Sequence, residues 1–449
     1  MAAARSRLAA GDGAAARGLL LPLAADATAA ELHLAAALDL RAGRLEAADD
    51  LLDAGLQRFG PVAGLRLNRA VALRRLGRPA EALALLAGDP AGSPPLDSAD
   101  ARWNAGLAAL SLGRWEEGWR LIAARTELAG FAMLRPPGTR WAGQALGPGE
   151  TLLVHAEQGL GDCLQFARLL PALVARGLDV ACLAPAPLLP LLQGAAALRA
   201  VRFVRLGDLP AYGAHVAMMD LPRLTGLTDP AAMPPPPWLT AEPARRARWR
   251  TWLAANLQPG ERAVGIVWRG NPGYPDDARR SPGLDAILPL ARVAGIRLVS
   301  LHRFSESGEG GARDDDMAAA AAAGILLPGP DLDADGAFLD SAALIAEVSA
   351  VVTSDTAIAH LAGALAAPTV LLLAHAPDWR WGIAPAEARG GETRGAETRE
   401  ADDRTPWYPT LRLARQPAPG DWPGALRRAT AALAALARPG PTVPPGIIR

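Results

Sequence analysis

Lysine is absent from this chain of 449 residues; all 46 basic residues are arginine. The absence excludes a phosphate-loop lysine, a Schiff-base lysine and a lysine-linked prosthetic group. Cysteine is scarce. Cys163 and Cys182 form no CxxC pair, so no disulfide framework is expected and a reducing compartment fits. Net charge is also absent, with 46 acidic residues against 46 basic ones, which argues against a dedicated nucleic-acid or acidic-membrane binder. No apolar run reaches membrane-spanning length. Arg5, Arg7 and the stretch 19–25 are faintly signal-like, but Pro22 interrupts the short apolar core and the stretch also fits a repeat helix. A cytoplasmic protein is expected. What remains is ordinary globular material, 50% hydrophobic and 20% charged, long enough for two or three domains.

The first third repeats itself. Leu40-Arg41-Ala42-Gly43-Arg44-Leu45-Glu46-Ala47-Ala48 recurs around Gly77 and again around Gly113, at spacings of 34 and 36 residues. A weaker copy surrounds Gly11 and Gly13. Each glycine lies between alanine-rich helical patterns, and small residues such as Ala48 and Ala82 permit close helix packing. The period predicts helix–turn–helix repeats over 1–128.

Residues 129–150 hold Pro136, Pro137, Gly138, Gly143, Gly147, Pro148 and Gly149 and read as a linker. Strand and helix patterns then alternate, which predicts α/β structure. Strands are expected at 151–155, 179–184, 201–204 and 215–220. Pro234 to Pro237 make a stiff joint. A second set follows at 264–268, 297–301, 325–327, 350–354, 369–374 and 411–415, with a closing helix at 424–437. The domains expected are 1–128, 129–150, 151–240, 241–437 and a tail, 438–449. Residues 386–405 are charged and of low complexity and read as a solvated loop.

Four clusters carry chemistry. The first is His155-Ala156-Glu157-Gln158-Gly159-Leu160-Gly161-Asp162, a glycine turn from strand 151–155 into a helix read over 164–176. Such turns line ligand crevices at the carboxyl ends of parallel strands, and an aspartate there can accept a proton from an attacking hydroxyl. The second is Thr353-Ser354-Asp355-Thr356-Ala357, running to His360, with Asp355 read as the N-cap. A helix start of this kind suits a diphosphate. The third is Gly265 to Pro272, including Trp268, Arg269 and Asn271, followed by Arg279 and Arg280, the parts needed to hold phosphate oxygens. The fourth is Ala376-Pro377-Asp378-Trp379-Arg380-Trp381, with Pro406-Trp407-Tyr408-Pro409 beyond the charged insert.

These clusters, in this order behind helical repeats, resemble bacterial tetratricopeptide-repeat proteins with a C-terminal family 9, heptosyltransferase-like glycosyltransferase domain. The resemblance covers roughly residues 30–437. It implies a GT-B fold behind the repeats, and an inverting, metal-independent transferase that takes a nucleotide-sugar donor and no cofactor. It implies Asp162 as general base. It also implies donor contacts from Asp355, Thr356, Ala357 and His360, with Trp268 and Asn271 in the adjoining loop and Arg279 or Arg280 on the diphosphate. Gln158, Gly159 and Gly161 belong to the acceptor-side turn, where Glu157 and Gln158 either line the acceptor or only shape the turn. Trp379, Arg380, Trp381 and Trp407 are candidates for the cleft wall. Cys163 departs from the threonine or serine usual in that family, His302 stands where glutamine is expected, and the insert at 386–405 lengthens a loop.

Each residue also has a plainer role. Asp162 and Asp355 serve equally as helix caps, His360 as a core histidine, the arginines as surface charge and the tryptophans as packing. Asp314, Asp315 and Asp316 lie in what reads as a polar loop and make no convincing metal site. His155 and His215 lack ligand-like spacing. The fused repeats suggest a protein or peptide acceptor, specifically a surface or flagellar protein modified before export. The alternative is a non-catalytic scaffold whose transferase domain is degenerate.

Overall fold

The computed structural model describes residues 27–88, 93–128, 135–157, 159–273, 276–303, 314–383 and 403–436. The weak repeat copy at 10–14, Gln158, the charged insert as far as residue 402, and the tail at 438–449 lie outside them. The chain divides into two compact units, Met1–Phe131 with Ala376–Arg394, and Ala132–His375 with Gly395–Arg449.

The first unit is built of helical hairpins: α1 (Ala29–Arg41) with α2 (Leu45–Phe59), α3 (Ala63–Arg75) with α4 (Pro79–Ala87), and α5 (Ala99–Ser111) with α6 (Trp115–Ile122). A reciprocal cap starts α1. The Glu31 amide donates to Thr28 Oγ1 at 3.4 Å, and the Thr28 amide donates to Glu31 Oε2 at 2.8 Å. Each hairpin turns at the repeated glycine. Gly43, Gly77 and Gly113 have φ of 73°, 82° and 73°, a region that costs any other residue a Cβ clash. Leu32, Ala36, Ala48, Leu52 and Leu65 form one core and Ala70, Leu73, Ala82, Leu86 and Ala108 the next, so each hairpin buries its apolar face on its neighbour.

The segment after Ala376 also belongs to this unit. Trp379 meets Trp119 edge-on at 5.4 Å, and the Arg380 guanidinium covers the Trp379 ring at 4.1 Å. Trp379, Arg380 and Trp381 are buried there. They pack within the helical unit, the plainer of the roles read for them.

The second unit holds two wholly parallel sheets. The first comprises β1 (Thr151–His155), β2 (Asp179–Leu183), β3 (Arg202–Val204) and β4 (Ala214–Ala217), in the order β3-β2-β1-β4. Between β1 and β2 run α7 (Leu160–Phe166) and α8 (Leu170–Val174). Two helices replace the one expected at 164–176. The glycine turn itself winds into α7, and Pro171, which lacks an N–H, is tolerated only in the first turn of a new helix. Residues 135–150 are no free linker. The Trp141 amide donates to the His215 carbonyl at 2.8 Å, and the His215 amide donates to the Thr139 carbonyl at 2.9 Å. Arg140 pairs with buried Asp220 at 2.8 Å, so the segment is pinned to the β4 edge.

A helix, α9 (Pro243–Asn256), leads to the second sheet. Its strands are β5 (Arg262–Val267), β6 (Ile296–Ser300), β7 (Ala350–Ser354), β8 (Thr369–Leu373) and β9 (Leu411–Arg415), in the order β6-β5-β7-β8-β9. Strands β7 and β8 are buried throughout, as parallel strands covered on both faces must be. Of the strands expected, 325–327 reduces to one bridge between Leu326 and Val299, because Pro328 has no N–H to extend a ladder. Asp314 to Asp316 open a helix, α11 (Asp314–Ala322), rather than a loop, and Asp316 pairs with Arg269 at 3.3 Å; α12 (Leu339–Glu347) leads into β7. The closing helix is Trp422–Leu436.

Candidate functional site

Both sheets reverse their strand order beside their first strand. In the first, β1 lies between β2 and β4; in the second, β5 lies between β6 and β7. Ligands of open parallel sheets bind at such switch points, beyond the carboxyl ends of the strands. The glycine turn leaves β1 there, the Trp268–Pro272 loop leaves β5, and the Asp355–Thr356 turn leaves β7. Topology thus places three of the four sequence clusters at the carboxyl ends of the strands beside these switch points.

Within this unit the first and second clusters meet. Helix α7 packs on α13 (Ala357–Ala364). A Cβ added to Gly161 would stand 2.7 Å from His360 Cδ2, 3.4 Å from His360 Nε2 and 3.6 Å from Ala357 Cα. Only glycine lets the two helix starts approach this closely. Their positive ends therefore converge next to Asp162.

Asp162 occupies the third position of α7, and its Oδ2 accepts from the Gly159 amide at 3.0 Å. It is half-buried, and the cap orients it. Cys163, the next residue, is buried, and burial together with the Asp162 charge pushes its thiol up to about 12. That thiol is no nucleophile at neutral pH. Glu157 is buried beside the turn.

On the other side, the N-cap of α13 is Thr356, not Asp355 as expected. Asp355 stands one residue before the cap and is half-exposed. Thr356 Oγ1 lies 3.2 Å from Thr353 Oγ1 rather than on its own helix amides, which leaves the first amides of α13 without a side-chain cap from Thr356. His360 is buried, with Nδ1 2.8 Å from the Tyr408 hydroxyl. It therefore stands at the seam between α7 and α13.

The loop after β5 is tightly knit. The Gly270 amide donates to Ser281 Oγ at 2.9 Å, and the Ser281 hydroxyl donates to Asp277 Oδ1 at 3.0 Å. Arg280 folds onto Asp277 at 3.1 Å within α10 (Asp277–Arg280), whereas Arg279 is exposed. Asn271 is exposed, and its Oδ1 accepts from the Gly273 amide at 2.9 Å, a turn-forming role. Trp268 is wholly buried in the core of the second sheet, so its expected donor contact is corrected to packing. Its amide donates to His302 Nε2 at 3.1 Å, and burial with the nearby Arg269 charge pushes the His302 imidazole down to about 3. Trp407 is likewise fully buried, edge-on to Phe166 at 6.1 Å, and is a core residue rather than an open wall.

Sequence reasoning assigned no role to three residues here: Arg168, Trp238, and Tyr408, which it quoted beside Trp407. Arg168 is buried and donates to the carbonyls of Pro234 at 2.7 Å, Met233 at 3.3 Å and Trp407 at 3.1 Å. Trp238 lies under the Arg168 guanidinium at 4.6 Å and stacks on Tyr408 at 5.9 Å. A tyrosine directly after Trp407, between two prolines, was the only local signal. His155 Nε2 and His215 Nδ1 lie 3.4 Å apart on neighbouring strands. Among the described residues no three His, Cys, Asp or Glu side chains gather as a metal site, and no helix is long and apolar enough to cross a membrane.

Residues 317–404 match the model of glycosyltransferase family 9 (heptosyltransferase). Protein FlbA of Caulobacter vibrioides is 29% identical over 392 residues, which cover 82% of this chain. The chain spans about 60% of the length of that relative. Among solved structures, the ADP-heptose LPS heptosyltransferase II of E. coli is similar at 16% identity and a TM-score of 0.42, over 64% of this chain and 99% of that one. An O-GlcNAc transferase of Thermobaculum terrenum is similar at 14% identity and a TM-score of 0.30, over 96% of this chain and 90% of that one.

Proposed function

We propose that this chain, a glycosyltransferase with a family 9 segment in its C-terminal half, moves a sugar from a nucleotide diphosphate to a protein hydroxyl with inversion. The observation that carries this reading is the contact of Gly161 with His360 and Ala357, which sets Asp162 beside the start of α13. The acceptor oxygen attacks the anomeric carbon from the face opposite the diphosphate and gives its proton to Asp162. The bond from the anomeric carbon to the diphosphate oxygen breaks, and the electron pair leaves with the diphosphate. The first amides of α13 and the exposed Arg279 stabilise that growing charge. Arg280, which also pairs with Asp277, is the other candidate cation. The Asp355 carboxylate repels phosphate, so its partners are sugar hydroxyls or backbone amides. With arginine and a helix start present, the diphosphate is neutralised without a divalent metal.

The helical unit supports the choice of acceptor. Stacked hairpins present an extended surface, and covalent fusion holds whatever they bind at high local concentration. The direct test is a thermal-shift screen of nucleotide sugars, followed by transfer of the stabilising sugar to the cell's protein fraction. A rise in melting temperature with one nucleotide sugar and labelling of protein support the reading. No shift with any of them rejects it.

A further inference from the structure

A buried chain of contacts runs from the glycine turn to the far end of α13. The Cδ2–Nε2 edge of His360 faces Gly161, one residue from Asp162, while Nδ1 is held by the Tyr408 hydroxyl at 2.8 Å. Tyr408 itself cannot wander. It stacks on Trp238 with ring planes 23° apart, and the Trp238 indole donates to the Leu164 carbonyl in α7 at 3.2 Å. The Trp238 amide also donates to the Ala364 carbonyl at the end of α13, at 3.1 Å. Gly363, on the face of α13 turned to Tyr408, leaves no room for a side chain between them. The tyrosine ring is therefore fixed by packing on two sides, and its hydroxyl meets His360 Nδ1.

We propose that Tyr408 is a positioning residue for the transfer site and acts through His360. Resting on the glycosyl-transfer reading above, the proposal gives the Pro-Trp-Tyr-Pro motif after the charged insert a part in turnover. An imidazole bonded at Nδ1 keeps one ring orientation, and so presents the same Nε2 edge to the glycine turn. That edge in turn sets where α7, and with it Asp162, stands against the start of α13. Without the hydroxyl, the bond that orients Nδ1 is lost and the glycine turn loses part of its backstop.

Tyr408→Phe removes the hydroxyl and keeps the stack on Trp238. Expected is a fall in kcat of about one to two powers of ten, the scale of misplacing a reacting group by an ångström, with donor KM changed by less than about threefold. In a His360→Gln background the same substitution should add nothing, because its path of action is already cut. An equal loss in both backgrounds, or no loss of kcat, overturns the proposal. A second measurement needs no activity. In protein labelled with 15N in its histidine rings, the His360 signal is identified by its loss in His360→Gln. It should report a hydrogen-bonded Nδ1 in the native chain and a shifted Nδ1, without that bond, in Tyr408→Phe. Identical ring shifts in the two proteins overturn the proposal. Absence of turnover in the native protein rejects the transferase reading instead and leaves the ring shifts to decide the Tyr408–His360 coupling.

Discussion

Replacing Gly161 by alanine tests the seam on which the site depends. The new methyl group would lie 2.7 Å from His360 Cδ2, closer than packed carbons approach. His360 cannot step back without giving up its 2.8 Å bond to Tyr408. Overpacking of this kind costs about 1–3 kcal/mol, and loss of the buried hydrogen bond about 1 kcal/mol more. Alanine recovers about 1 kcal/mol of helix propensity in α7. The net expectation is destabilisation by about 1–3 kcal/mol, which for a unit of this size lowers the melting temperature by about 2–4 °C per kcal/mol. His360→Ala in the same chain should relieve the clash, so the two substitutions should couple by about 1 kcal/mol or more. Thermal and urea unfolding of the native, single and double variants measure this. If Gly161→Ala is as stable as the native chain, or the two effects simply add, the close approach of α7 and α13 is wrong.

His302 gives a pH prediction. Its folded pKa of about 3 lies below the unfolded value of 6.5, so the unfolded chain binds the proton that the folded chain refuses. Stability is full above pH 6.5 and is lost as pH falls towards 3, by about 2 kcal/mol at pH 5, and His302→Gln should flatten that part of the curve in acid-unfolding measurements. Transfer should persist in chelator, because the diphosphate charge is met by arginine and α13; activity lost in EDTA and restored by magnesium or manganese contradicts this. Deleting residues 1–128 strips the partners of Trp379 and Trp381, so the deletion is combined with Trp379→Ser and Trp381→Ser. Nucleotide-sugar binding should survive while protein modification disappears, and equal transfer by both forms would remove the recruiting role from the hairpins.

Local signals were legible where the chain itself supplies the cause. Gly43, Gly77 and Gly113 mark their turns because only glycine takes that backbone angle cheaply. The apolar runs of β1, β5, β7 and β8 name themselves, and with them the switch-point loops that carry Asp162 and Asp355. What escaped was pairing across distance. Tyr408 stands 48 residues from His360, and Trp407 stands 239 residues from Arg168, so no period or spacing joins them. Trp379 finds its partner, Trp119, in the hairpins, 260 residues away, which no local pattern shows. The helix cap slipped by one residue because Asp355 is the better capper by type. The alanines after Met317 were the signal that Asp314 to Asp316 open a helix.

The central claim is that Asp162 takes the proton of the acceptor while the donor rests on α13. Asp162→Asn tests it most directly. The asparagine oxygen can still accept from the Gly159 amide, so the helix start is kept and only basicity is removed. Nucleotide-sugar binding, measured by calorimetry, should match the native protein, while single-turnover transfer should slow by about two or more powers of ten. Near-native transfer by this variant would contradict the account and return Asp162 to a capping role.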